Sequence, residues 1–151
     1  MELQEQIFNA MKAKRADDML TSLQLTLSEL ILKLEDKQDK KLPVIFDGRK
    51  YYPTGIGSWR GSYCELAISY STTTCHMTAK GFLNILKNTI GRTLVGYKGG
   101  DFLMGKTTPV WVANYGESWG FKSDGEIHSQ AVTNIFKAKG YIVIRTKAIE
   151  Y

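Results

Sequence analysis

The chain has 151 residues, 43% hydrophobic and 23% charged, which is the balance of one globular domain with a core of its own and excludes a disordered chain. Twenty Lys/Arg against fifteen Asp/Glu leave a net charge of +5, which favours phosphate-bearing ligands a little. The cations are scattered, with short clusters at Lys12, Lys14 and Arg15 and at Lys37, Lys40 and Lys41, and no dense stripe of the kind that grips DNA; no DNA partner is expected.

Glu2 to Lys14 places Leu3, Ile7, Ala10 and Met11 on one helical face, so a short amphipathic helix is expected there. Asp17-Asp18 marks a break. Leu23, Leu25 and Leu27 alternate and hint at a short strand. Thr26-Leu27-Ser28-Glu29 has the capping-box spacing, and Leu27, Leu30, Ile31 and Leu34 follow at helical intervals, which predicts a helix from Leu27 to about Asp36. Residues 1–36 therefore read as a mainly helical packing or oligomerisation segment. Pro43 to Phe46 reads as a strand, Asp47-Gly48 as a turn, and Tyr51-Tyr52 as a short return before a glycine-rich loop.

That loop, Thr54 to Tyr63, reads TGIGSWRGSY. Glycine permits sharp turns and close ligand approach, and an arginine among glycines and aromatics suits a phosphate or a planar ring. A plain surface loop with a solvated Arg60 is the alternative. Glu65 to Tyr70 alternates as a strand, with Leu66, Ile68 and Tyr70 on one face. Thr78 can cap a further helix that buries Phe82, Ile85 and Leu86 and ends at Gly91. Thr93 to Tyr97 reads as a strand, Lys98 to Asp101 as a hairpin turn, and Phe102 to Met104 as the return. Pro109 to Tyr115 is the clearest strand, with Val110, Val112 and Asn114 opposed to Trp111, Ala113 and Tyr115. Gly116 to Gly125 reads as a loop, and Gln130 to Tyr151 as a hairpin around Ala138-Lys139-Gly140. The order predicts a single-domain α+β fold: a mostly antiparallel sheet, an N-terminal helical segment and one further packed helix.

Gly100 to Thr107 matches the P-loop pattern G-x-x-x-x-G-K-[ST], but a working P-loop joins a strand to a helix and this one runs into β-rich Pro109-Val110-Trp111. Gly55-x-Gly57-x-x-x-Gly61 is a residue too long for a dinucleotide fingerprint. Two cysteines, Cys64 and Cys75, with two histidines in polar loops, His76 and His128, make no Cys/His zinc set, so no metal is expected. Reduced thiols suit a cytosolic chain, although spacing leaves a disulfide open. Asp47, Glu65, Asp101 and Glu117 are the carboxylates from which folding could build a pair. No catalytic set is recognisable, so a binding protein is favoured over an enzyme and no cofactor is expected. The acidic N-terminus lacks an apolar run, so neither a signal peptide nor a membrane span is expected, and the cytoplasm is the expected location. Aromatics stand beside glycines and polar groups: Trp59 with Ser58 and Arg60, Tyr97 with Lys98 and Gly99 and then Asp101, and Trp111 and Tyr115 with Asn114. Such sets stack on nucleobases and meet phosphates or ribose hydroxyls. One of Trp111 and Tyr97 is expected in the core instead.

The blocks PTGIGSWRGSYCELAISYS, TIGRTLVGYKGGDFLM and TPVWVANYGESWG resemble the type 1 Thoeris anti-defence proteins of phages, over most of the span from Leu25 to Gly120. That resemblance implies a sponge. Such proteins bind cyclic ADP-ribose isomers, and some members bind cyclic oligonucleotides of the CBASS type, and they release them unchanged. Host signalling is silenced in the cytoplasm of the infected cell. It also implies a homo-oligomer, dimer or hexamer, with pockets at subunit junctions. Arg60 would clamp the pyrophosphate, while Tyr97, Lys98, Gly99, Asn114 and Tyr115 would line the pocket and Arg145 would reach across the junction. Ser58, Trp59 and Asp101 complete the candidate set. The threonine-rich Ser71–Met77 loop and the long basic tail depart from the pattern. An enzyme acting on the same ligands, and a module that blocks a host factor through the N-terminal helix, are the alternatives.

Overall fold

The computed structural model describes residues 24–47, 51–58, 64–73, 77–96, 99–114 and 130–148. The expected helix at Glu2–Lys14, the Gly116–Gly125 loop, Cys75, His76 and His128 lie outside the described residues. The helix predicted after Thr26 is α1, Leu27–Glu35. Its capping box is complete. The Thr26 hydroxyl accepts from the Glu29 N–H at 3.4 Å, and Glu29 Oε1 accepts from the Thr26 N–H at 3.0 Å. Leu27, Leu30, Ile31 and Leu34 are buried on one face, as the spacing requires. The short strand hinted at by Leu25 and Leu27 does not form as a strand of its own. The cap fixes Thr26, the helix takes Leu27, and only Leu25 and Thr26 stay extended, bonded to Val110, Val132 and Pro109.

Eight strands follow: β1 Val44–Phe46, β2 Tyr52–Gly57, β3 Leu66–Ser71, β4 Thr93–Val95, β5 Asp101–Leu103, β6 Val110–Val112, β7 Gln130–Ala138 and β8 Tyr141–Ala148. The second helix, α2 Ala79–Thr89, lies between β3 and β4. Thr78 caps it by accepting the Gly81 N–H at 3.1 Å, and Gly91 follows its end with φ +84°. Ala79, Phe82, Leu83, Leu86 and Thr89 are its buried residues, whereas Ile85, expected inside, is half-buried.

Six strands form one sheet in the order β1-β8-β7-β6-β3-β2, and β4 pairs with β5 in a separate hairpin. β2–β3, β6–β7, β7–β8 and β4–β5 are antiparallel, while β1–β8 and β3–β6 are parallel, so the fold is α+β with a largely antiparallel sheet. The sheet curls until its two edges meet. Val44 and Phe46 turn their N–H groups away from β8. Val44 donates to Met77 O, and Phe46 donates to Tyr51 O at 2.9 Å, immediately before β2. The result is nearly a barrel.

α1 and α2 pack on one face, where their side chains join Val44, Phe46, Leu66, Ile68, Val110, Val112, Ile142 and Ile144 in the main core. The other face is also buried along β3, β6 and β7: Ala67, Trp111 and Ala131 are in register with one another, and Trp111 is 0% exposed. Both faces being dry explains why Val110-Trp111-Val112-Ala113 is apolar without alternation. Trp111 is therefore a core residue. The tail hairpin turns at Lys139 and Gly140, with φ of +48° and +82°, the two-residue turn whose twist matches that of its strands.

Candidate functional site

The glycine-rich stretch departs from expectation. Its first half is not a loop: Thr54 to Gly57 belong to β2, an edge of the sheet that accommodates Pro53 and shifts register between Pro53 and Gly55. Gly55 has an ordinary φ, and a Cβ there would meet nothing within 4 Å, so neither a sharp turn nor a close approach requires it. β2 delivers the chain to Ser58, which forms a parallel bridge with Gly96. The turn after β4 is thereby laid beside the end of β2. Gly96 donates to Gly100 O at 2.6 Å and Gly99 donates to Gly96 O at 2.9 Å, and Gly99 takes φ +87°, which favours glycine. Ser58, which opens the SWRG block, thus lies beside Gly96, the residue before YKGG, thirty-odd residues on in sequence. Of the candidates, Trp59, Arg60, Tyr97, Lys98 and Tyr115 lie outside the described residues.

Ser58 is 1% exposed, and its hydroxyl has no hydrogen-bond partner. An unpaired buried hydroxyl costs about 1–3 kcal/mol, so this position is unfavourable for stability alone. Asp101 opens β5 instead of closing the turn; it pairs with Val95 and is exposed. Ser58, Gly99 and Asp101 therefore share one locality at the end of β2.

Asn114 lies elsewhere. β6 ends at Val112, so Asn114 is beyond the strand, half-buried. Its Oδ1 accepts the Tyr70 N–H at 3.0 Å, continuing the parallel β3–β6 ladder after Leu66 N to Pro109 O and Ala113 N to Ile68 O. Because that donor is a backbone N–H, the amide orientation follows, and only Nδ2 remains for a ligand. Ser58 sits near the start of β3 and Asn114 near its end, about 13 Å apart along a strand rising 3.3 Å per residue. Arg145 is on the far side of the sheet from the main core, exposed, with its guanidinium 4.9 Å from the centroid of the Phe136 ring. Within one chain the candidates thus form one locality and two outliers. Sequence reading missed Phe136 as a partner of Arg145, although the alternation along β7 and β8 held the signal.

The P-loop-like segment has a structural task. Residues 105–108 bend over the start of α1, where Leu27 N–H donates to Thr108 O at 2.7 Å and Ser28 N–H to Lys106 O at 3.0 Å. Carbonyls, not phosphates, satisfy this helix start. Thr108 Oγ1 accepts the Gly105 N–H at 2.8 Å and tightens the turn.

Of the candidate carboxylates, Glu117 lies outside the described residues, Asp47 stands apart, and Glu65 and Asp101 lie toward the Ser58 end of the sheet. Asp47 Oδ1 accepts the Thr146 N–H at 3.1 Å and lies 3.0 Å from the Thr146 hydroxyl, which is also 2.8 Å from Gln130 Oε1. One hydroxyl carries one proton, so the three groups are all satisfied when the Gln130 amide is turned to donate to Thr146. Asp47 stands at the Asn114 end of the sheet, and Glu65 precedes β3 at the Ser58 end. Among the described residues no group of three or more His, Cys, Asp or Glu is placed to hold a metal ion. Cys64 is a free, exposed thiol, with Sγ 3.0 Å from Leu103 O. No helix among the described residues is long and apolar enough to cross a membrane.

No family model, curated protein or solved structure matches this chain.

Proposed function

We propose that this chain is a non-catalytic sponge for a cyclic nucleotide messenger, taking cyclic ADP-ribose isomers and, as a second class, cyclic oligonucleotides, and holding them unchanged so that Thoeris or CBASS signalling fails. The observation that carries the reading is the Ser58–Gly96 bridge. It joins Ser58, the first residue of SWRG, to Gly96, the residue before YKGG; the resemblance gives Arg60 of the first block the pyrophosphate and the second block the pocket lining, and the buried Ser58 hydroxyl at this bridge has no partner among the described residues. The separation of Ser58 from Asn114 supports a homo-oligomer, dimer or hexamer. With two strand spacings of about 4.8 Å added across β3 to the roughly 13 Å along it, a ligand touching both groups must span roughly 16 Å or be clasped by two chains.

Stacking an adenine gives about 1–3 kcal/mol and each charge-assisted bond to a phosphate about 1.5–3 kcal/mol, so two stacked faces and three such bonds give about 6.5–15 kcal/mol before the cost of association. Nanomolar binding, about −12 kcal/mol, therefore requires a pre-organised pocket and more contacts than these five. Calorimetric titration of a cyclic ADP-ribose isomer into the protein should give saturable, tight binding, and Arg60→Ala should weaken it by about tenfold to a hundredfold. If Arg60→Ala binds as tightly as the wild type, the phosphate clamp is wrong. If the wild type binds no cyclic ADP-ribose isomer or cyclic oligonucleotide, the sponge is wrong.

A further inference from the structure

The cations look scattered in the sequence, but folding gathers four of them. Residues 130–148, the β7–β8 hairpin, contain Lys137, Lys139, Arg145 and Lys147 and no acidic side chain, while the rest of the chain is almost neutral, with sixteen basic against fifteen acidic residues. All four are exposed. β8 is hydrogen-bonded on both sides, to β1 and to β7, so its backbone offers no edge and only its side chains can meet a partner.

Alternation sends Ile142 and Ile144 into the core and leaves Tyr141, Arg145 and Lys147 on the opposite face, while Lys137, in register with Ile142, is on the core side of the ladder and does not share this face. The register Phe136↔Val143 and Asn134↔Arg145 puts Phe136 diagonal to Arg145 on that face, and the guanidinium lies over its ring. Tyr141, 36% exposed, stands one rung beyond Phe136, opposite Ala138. The Asp47 carboxylate meets the hairpin through Thr146, an alternate position that points the other way.

We propose that this face binds single-stranded nucleic acid. Arg145 and Lys147, with Lys139 in the turn, meet phosphates, and bases stack on Tyr141 and on the Arg145 guanidinium already laid over Phe136. A duplex offers phosphates but hides its base faces, so the single strand is the preferred form. Arg145 also belongs to the nucleotide-sponge reading, so the test leans on Tyr141 and Lys139, which that reading does not use.

The test is fluorescence anisotropy with a fluorescein-labelled oligothymidylate and an oligouridylate, each of about 20 nucleotides, across roughly 50–200 mM salt. Affinity should fall with salt at a log–log slope of about −2, as three phosphate contacts, from Lys139, Arg145 and Lys147, at about 0.7 each require for a single strand. Tyr141→Ala should weaken binding about tenfold while Tyr141→Phe preserves it, which separates a lost stack from a damaged fold. Lys139→Gln should reduce the slope by about 0.7, and Lys33→Gln on α1 should leave it unchanged. Absence of binding at the lowest salt overturns the proposal. So does equal affinity for duplex DNA or inorganic polyphosphate with Tyr141→Ala indistinguishable from wild type, which would mark charge alone. Binding to phosphatidylglycerol vesicles but not to either oligonucleotide overturns it as well.

Discussion

Asn114 gives the sharpest separation of scaffold from site. Its Oδ1 supplies the acceptor for the Tyr70 N–H at 3.0 Å, one rung past the last β6 residue, while Nδ2 is left for a ligand. Asn114→Ala removes that rung. A typical intramolecular hydrogen bond contributes about 0.5–1.5 kcal/mol net, and the half-buried setting keeps the loss within that range. For a chain of this size that loss corresponds to a fall of about 1–6 °C in melting temperature. Asn114→Asp keeps an acceptor oxygen in the same place, so its stability should stay within about 0.5 kcal/mol of wild type. It removes the amide donor, however, and adds a negative charge where a phosphate-bearing ligand would sit. If Asn114 belongs to the pocket, Asn114→Asp should lose at least about tenfold in messenger affinity, or about 1.4 kcal/mol, without losing stability. Thermal melts and calorimetric titrations of the two variants read both quantities. An Asn114→Ala protein as stable as wild type would refute the ladder reading. An Asn114→Asp protein that binds as wild type would confine Asn114 to the scaffold.

Three other outcomes are expected. Ser58→Ala removes a buried hydroxyl without a partner, so it should leave stability unchanged or raise it by up to about 1 kcal/mol in a urea melt; a clear loss would mean that the hydroxyl is satisfied after all. Thr26→Ala breaks the capping box and should cost about 1 kcal/mol, seen as a drop of about 2–4 °C in melting temperature, and an unchanged melt would contradict the cap. Lys106→Ala should not alter ATP binding, because the wild type should show none by equilibrium dialysis; saturable ATP binding abolished by Lys106→Ala would restore the P-loop.

What the sequence disclosed was local. The Thr26 capping box, the 3.6-residue stripe of α1, the Thr78 cap and Gly91 stop of α2, and the Lys139-Gly140 turn each rest on neighbours a few residues apart, and each is present. The glycine-rich stretch misled because Pro and Gly usually mark loops. At a sheet edge, with a register shift to absorb Pro53, the same residues form β2. The parallel pairings β1–β8 and β3–β6, the capping of α1 by Lys106 and Thr108 carbonyls, and the Ser58–Gly96 bridge join residues far apart in sequence, where no periodicity reports contact. For the candidate site the outcome is divided. Ser58, which opens the SWRG block, is bridged to Gly96, the residue before YKGG, while Trp59, Arg60, Tyr97 and Lys98 lie outside the described residues. Asn114, grouped with them on residue type, sits at the other end of β3, and Arg145 stacks on Phe136.

The most direct test of the sponge is capture and release. The protein is mixed with a cyclic ADP-ribose isomer, freed of unbound ligand by filtration, and heated until it unfolds, and the released small molecules are then weighed by mass spectrometry. The account predicts depletion of the messenger from the filtrate and its recovery after heating with its mass and chromatographic position unchanged. A linear ADP-ribose, heavier than the messenger by one water, in the heated fraction, or a messenger that never leaves the filtrate, would contradict it.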